Sequence, residues 1–138
     1  MILLDTDIFS LLMRGREPTC TRARQAEDTV AISVVTRVEV LRGRWEFLLK
    51  AEDGVQLQRA QLWLDRTEED LRDWHIIGID QQSAEAFDRL RKIASLRRIG
   101  RGDLLIASTA LAHQALLVTR NIRHFRQVPG LRLENWAE

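Results

Sequence analysis

Short apolar runs alternate with stretches of helical periodicity along the chain. Ile2 to Leu4, Val30 to Val34, Ile76 to Ile79, Leu116 to Val118 and Leu131 to Leu133 are rich in aliphatic and β-branched residues, as strands buried on both faces are. Between them, Val38, Leu41, Trp45 and Leu48 recur at helical spacing, and Leu57, Ala60, Leu64, Leu71 and Trp74 do so after the break at Asp53-Gly54. Phe87, Leu90 and Ala94 form a third stripe, with Asp80 or Ser83 as its cap. Leu104 to Ala115 is apolar almost all round, which predicts the most buried helix. Arg14 to Pro18 predicts a loop between two early helices, and Pro129-Gly130 a turn before the last strand. Strands alternating with helices predict an α/β fold: a parallel sheet with helices on both faces.

The 138 residues, 45% of them hydrophobic, suit one domain spanning 1–138 with one core-bearing sheet. Cys20 is the only cysteine and the residues after Met1 form no basic or long apolar leader, so a reducing cytoplasm is the expected setting. No run approaches the ~20 apolar residues that span a bilayer, so no membrane partner is expected. A net charge of +1 gives no global basic footprint for nucleic acid, but the distribution is informative. Only Lys50 and Lys92 are lysines, so the positive charge is nearly all arginine, whose planar fork suits bidentate phosphate contacts. Arg97, Arg98 and Arg101 lead into Asp103, and Arg120 and Arg123 follow the run ending at Val118, which makes them candidates for RNA contact. Solvated helix faces account for individual arginines equally well.

Three acids stand where apolar runs meet helical patterns: Asp5 after Ile2-Leu3-Leu4, Glu39 between Val38 and Val40, and Asp103 before Leu104-Leu105-Ile106. Isolated carboxylates beside apolar surface need a partner, and a divalent cation satisfies several at once. Each acid also has a structural role open to it. Asp5 can cap the helix beginning near Asp7, Glu39 can close a Thr36-x-x-Glu39 capping box, and Asp103 can be the N-cap of the Leu104 helix. Hard oxygen donors select Mg2+ or Mn2+ rather than zinc, and His75, His113 and His124 show no zinc-ligand spacing. Such a site supports phosphodiester hydrolysis.

Four segments together, Leu3-Leu4-Asp5-Thr6-Asp7, Val38 to Gly43, Ile99 to Ala107, and Leu117 to Asn121 continuing through Val128-Pro129-Gly130-Leu131 to Trp136, resemble the PIN-domain nucleases, specifically the VapC-type toxins of bacterial toxin–antitoxin pairs. The resemblance spans nearly the whole chain. It implies a PIN-like fold with a five-stranded parallel sheet flanked by helices on both faces. It also implies a Mg2+- or Mn2+-dependent endoribonuclease with Asp5, Glu39 and Asp103 as metal ligands, acting on RNA, often tRNA. A homodimer and a cognate VapB-like antitoxin, able to place a basic side chain near the acids, belong to the same expectation.

Thr6 and Thr119 are candidates for holding a metal-bound water or an acid, and Asp7, where many relatives have asparagine, joins the site or caps the first helix. Many PIN domains carry a fourth acid at the position of Asn121 or three residues later, where this chain has asparagine and histidine. Asn121 is therefore expected to act as a neutral hydrogen-bonding group in catalysis, with His124 at the surface beside Phe125. Trp45 and Trp74 lie on apolar stripes and are expected in core or interface rather than in base stacking. Phe9 and Met13 suggest an apolar face on the first helix, in core or subunit contact. Two other readings stay open: a haloacid-dehalogenase-like phosphatase with Asp5 as nucleophile and Asp7 as acid/base, for which Lys92 is the one late lysine, and a non-catalytic RNA- or partner-binding module.

Overall fold

The computed structural model describes all residues, 1–138. Five parallel strands, β1 (Ile2–Leu4), β2 (Val30–Ser33), β3 (Ile76–Ile77), β4 (Leu116–Val118) and β5 (Arg132–Glu134), form one sheet in the order β3-β2-β1-β4-β5. Seven α-helices connect them: α1 (Thr6–Met13), α2 (Thr19–Gln25), α3 (Val34–Leu49), α4 (Gly54–Arg72), α5 (Gln81–Leu90), α6 (Arg101–Ala112) and α7 (Ile122–Phe125), with a short 3-10 turn at Ala94–Leu96.

Alternation along the strands divides the core in two. Leu3, Ala31 and Leu117, aligned across three strands, face one side with Leu90 of α5, Ile106 and Ala110 of α6, and Phe125 of α7. Ile2, Leu4, Ile32 and Val118 face the other with Ile8 and Phe9 of α1, Leu71 of α4 and Trp136. The apolar run from Leu104 is the most buried helix, as its composition predicts. Ser108 and Thr109 lie within it because their hydroxyls donate to the carbonyls of Leu104 and Leu105, at 2.7 and 2.9 Å.

Side-chain caps set where several helices begin. Asp5, Ser33, Asp53 and Asp80 each accept from the backbone N–H three residues on, starting α1, α3, α4 and α5. Two strands differ from the sequence expectation for this reason. β2 ends at Ser33 because Ser33 caps α3, so Val34 is helical, and β3 ends at Ile77, three residues before Asp80 caps α5. β5 is displaced by one residue, to Arg132–Glu134, because Leu131 is held in the turn after Gly130, whose φ is +79°.

The helical stripes of the middle of the chain are only partly core. Trp74 packs edge-on against Phe9, with ring centroids 5.0 Å apart, but Val38, Trp45 and Leu57 are about half exposed. Phe9 is buried and Met13 is exposed, so the apolar face of α1 is split between core and surface. No helix is long and apolar enough to cross a membrane.

Candidate active site

Chain order reverses beside β1: β2 and β3 extend the sheet on one side, β4 and β5 on the other. At such a point the loops leaving adjacent strands diverge and open a crevice beyond the carboxyl edge. Asp5 follows β1 there and Thr119 follows β4, and the Thr119 hydroxyl donates to Asp5 Oδ2 at 2.5 Å. The other Asp5 oxygen, Oδ1, accepts from Ile8 N–H at 3.0 Å, so the expected capping role of Asp5 is real. Each carboxylate oxygen keeps a further lone pair beyond these bonds. Asp5 is 8% exposed. Burial pushes its carboxyl up from 3.8 to about 6, opposed by the Thr119 and Ile8 hydrogen bonds and reinforced by the negative charges of Asp7 and Asp103.

Glu39 reaches the same region from the second turn of α3. Thr6 donates its single hydroxyl proton to Glu39 Oε1 at 3.0 Å, so in the 3.0 Å contact between Thr6 and Thr36 the donor is Thr36. The result is a relay, Thr36 to Thr6 to Glu39, running from buried interior to exposed carboxylate. The capping box between Thr36 and Glu39 is not formed, because Ser33 is the N-cap and already accepts from Thr36 N–H at 3.3 Å.

Asp103 lies in the first turn of α6 but is not its N-cap, a position held by Gly100 without a side-chain bond. Its Oδ2 stands 3.3 Å from His124 Nε2. His124 lies beside Phe125 as expected but is three-quarters buried, less exposed than a surface residue. The helical periodicity of α7 carries the physical reason: Phe125 anchors in the core and turns the preceding residue toward α6. The expected neutral group, Asn121, is exposed; its backbone N–H donates to Thr119 Oγ1 at 3.0 Å, and no hydrogen bond joins its side chain to the acids. Sequence reading missed Thr36 as a member of the site, although its position three residues before Glu39 places both on one helix face.

Of the arginines, Arg97, Arg98, Arg120 and Arg123 are exposed, the first pair before α6 and the second beside Thr119 and His124. Arg101 is committed in part to the face of Phe87, 5.3 Å from the ring centroid. A cleft of about 910 Å3 leads away from Thr6 and Glu39 between α1, α3 and α4. Its far wall is the stacked pair Phe47 and Trp63, with centroids 5.6 Å apart, and Arg44 lies over the Trp63 ring.

The donor chemistry fits a small divalent ion. Asp5 is held near protonation by burial and by neighbouring carboxylates, a condition that a cation relieves. No three His, Cys, Asp or Glu side chains are close enough to enclose an ion by themselves. An ion here would rest on one or two direct carboxylates with water completing its shell, as Mg2+ does.

The fold is a parallel α/β sheet with a buried acid at its switch point, and the comparisons give the class. Residues 2–131 match the PIN domain family. Ribonuclease VapC2 of Rickettsia felis is 34% identical over 111 residues, covering 79% of this chain and 75% of that protein. The tRNA(fMet)-specific endonuclease VapC of Salmonella typhimurium is 27% identical over 98% of this chain and 97% of its own. Among solved structures, VapBC2 from Rickettsia felis bound to a DNA fragment from its promoter aligns with a TM-score of 0.77 at 30% identity over 99% of each chain. This chain belongs to the PIN-domain family and, within it, to the VapC ribonucleases.

The phosphatase alternative loses its basis. Residues 2–131 match the PIN domain instead, and Lys92, the one late lysine, is exposed in the turn after α5.

Proposed function

We propose that the protein is the toxin of a toxin–antitoxin pair, an endoribonuclease that hydrolyses RNA with Mg2+ or Mn2+ at Asp5, Glu39 and Asp103. The observation that carries the reading is Asp5 at the sheet's switch point, buried, held by Thr119 and pushed up to about 6 by burial, with the charges of Asp7 and Asp103 adding to the rise. When bound, a divalent ion supplies positive charge to the phosphodiester and acidifies water. Asp5 and Asp103 provide the carboxylates that hold it. Thr119 and the Ile8 N–H fix the Asp5 rotamer, so that little reorganisation is needed on binding. Glu39, its Oε1 engaged by Thr6, presents Oε2 to accept a proton from the attacking water or to hold the ion. Arg97, Arg98, Arg120 and Arg123 supply phosphate contacts on the flanks.

The partner proposed is a VapB-like antitoxin, in line with the VapBC complexes among the structural neighbours. The cleft that starts at Glu39 and ends at Phe47 and Trp63 offers such a chain both apolar anchorage and a path to the acids. The substrate, with tRNA as first candidate, is tested by incubating antitoxin-free protein with total cellular RNA in Mg2+, Mn2+ or EDTA and mapping the new ends. Metal-dependent cuts at a small set of sites are expected. RNA that stays intact in every metal overturns the reading.

A further inference from the structure

Thr36 lies in α3 one turn before Glu39, yet its hydroxyl is not bonded to that acid. It meets Thr6 Oγ1, at the start of α1, at 3.0 Å, and Thr6 donates to Glu39 Oε1 at the same distance. Thr36 is fully buried, and Thr6 is the only partner of its hydroxyl. The Thr36 proton therefore goes to Thr6 or to nothing, and a buried donor left unmade is the costlier state. Burial thus sets the direction of both bonds, from the interior outward. Asp5 is held by Ile8 and Thr119, whereas the exposed Glu39 carboxylate accepts from Thr6 alone. Its Oε1 lies 3.9 Å from where a Cβ on Gly102 would stand. Glu39 is so drawn between the start of α1, which follows Asp5, and that of α6, which carries Asp103. Rotamer entropy and repulsion among carboxylates both favour a glutamate that points to solvent instead.

We infer that Thr36 is a positioning residue for the hydrolytic site: by donating to Thr6 it fixes that side chain, and through Thr6 it keeps Glu39 turned toward the other acids. The inference rests on the nuclease reading of Asp5, Glu39 and Asp103. Thr36 itself is shut away from substrate and acts only through its neighbour. A hydroxyl that accepts one bond donates the next more strongly, so the buried donor tightens the hold on Oε1. Oε2 is left without a protein partner and is free for water. Valine at position 36 would fill the same volume and supply no proton, whereas serine would keep the proton and lose only a methyl.

Carbon-13 relaxation of the labelled Glu39 side chain in the metal-free, full-length protein reads the positioning without catalysis. Wild type should show an ordered Glu39, and Thr36→Val should loosen it to the mobility of an exposed, unbonded glutamate such as Glu69. Thr36→Ser should restore the order, and Thr6→Val, changed at the more open end of the relay, should loosen Glu39 equally. Single-turnover cleavage of total cellular RNA in Mn2+, followed at the mapped sites with protein in excess, gives the second readout. Thr36→Val should lower the maximal rate about tenfold or more, as loss of a supporting hydrogen bond does. The protein concentration at half-saturation should stay within about twofold, because no substrate contact is lost. Thr36→Ser should recover most of the rate, and Thr36→Val should cost nothing further in a Thr6→Val background. An ordered Glu39 in Thr36→Val, an unchanged rate, or the same loss with and without the Thr6 hydroxyl overturns the inference and leaves the acidic site standing. RNA left intact by wild type in every metal removes the nuclease reading and this inference with it.

Discussion

Burial favours the neutral form of Asp5 and its hydrogen bonds favour the ionised one, and because burial prevails the residue carries a pH signature. Its folded carboxyl titrates at about 6 against 3.8 when unperturbed, so the folded state binds the proton more tightly. The corresponding stabilisation is fully present below 3.8 and is lost as pH rises to about 6, leaving the metal-free protein to bear an ionised, buried carboxylate worth up to ~3 kcal/mol. Asn keeps the cap on Ile8 and removes the charge. Metal-free Asp5→Asn should therefore melt with wild type at pH 3.5 and above it at pH 7.5; coincident melting at both would show that Asp5 bears no such cost. The same variant should lose at least ~100-fold in cleavage, as should Asp103→Asn, because the charge that holds the ion is gone. Activity within a few-fold of wild type, with contamination excluded, would remove either residue from the site.

Individual elements orient these charges. The Thr36 to Thr6 to Glu39 relay depends on α3 starting at Ser33, so Ser33→Ala should cost about 1 kcal/mol by loss of the cap, measured by denaturant unfolding. Thr119→Val is a sharper probe. It leaves Asp5 Oδ2 and the Asn121 N–H without their shared hydroxyl, so Asp5 should titrate still higher and divalent-ion binding at pH 6 should weaken relative to pH 8. An unchanged pH dependence of Mn2+ affinity would show that the hydroxyl is not holding the carboxylate. In α6, a methyl on Gly102 would meet Val35 Cγ1 at 3.7 Å and Glu39 Oε1 at 3.9 Å, both ordinary contacts. Gly102→Ala should accordingly be neutral or stabilising by up to ~1 kcal/mol in thermal melts; a loss of that size would mean that the approach of α6 to α3 has no room to spare.

At the scale of the molecule, exposed arginines flank an acidic crevice in a chain of net charge only +1, so RNA should be held locally rather than by a general field. Affinity for a single strand should fall with salt at a slope of ~0.7 per phosphate contacted, and Arg97→Ala with Arg98→Ala should flatten the slope without altering Mn2+ binding. An identical slope in the double variant would take that pair out of the RNA path. The hairpin of α3 and α4 leaves Trp45, Leu49, Val55 and Leu62 more than half exposed, a large apolar share for an unpartnered surface. We propose that this surface is covered by a second copy of the chain in a homodimer. Light scattering of the free protein should give twice the chain mass, and a monomer across a wide concentration range would overturn the dimer.

Local chemistry was legible from the chain. Aliphatic runs located the five strands to within two residues at their ends, Asp5 and Asp80 announced two helix starts, and the family motifs singled out Asp5, Glu39 and Asp103. These features depend on neighbours in sequence, where hydrophobic period and capping geometry act directly. The choice among competing local roles was not legible. Thr36 and Asp103 were plausible caps by residue type, and only the packed helices show Ser33 capping α3 while Thr36 turns to Thr6 and Asp103 to His124. Likewise Trp74 and Trp45 lie on equivalent stripes, yet one meets Phe9 and the other meets solvent. The sheet order decided the rest: Asp5 and Thr119 are 114 residues apart in sequence and share a proton only because β1 and β4 are neighbours. Contacts of that separation arise from the registry of strands and the packing of helices across them, which no local period encodes.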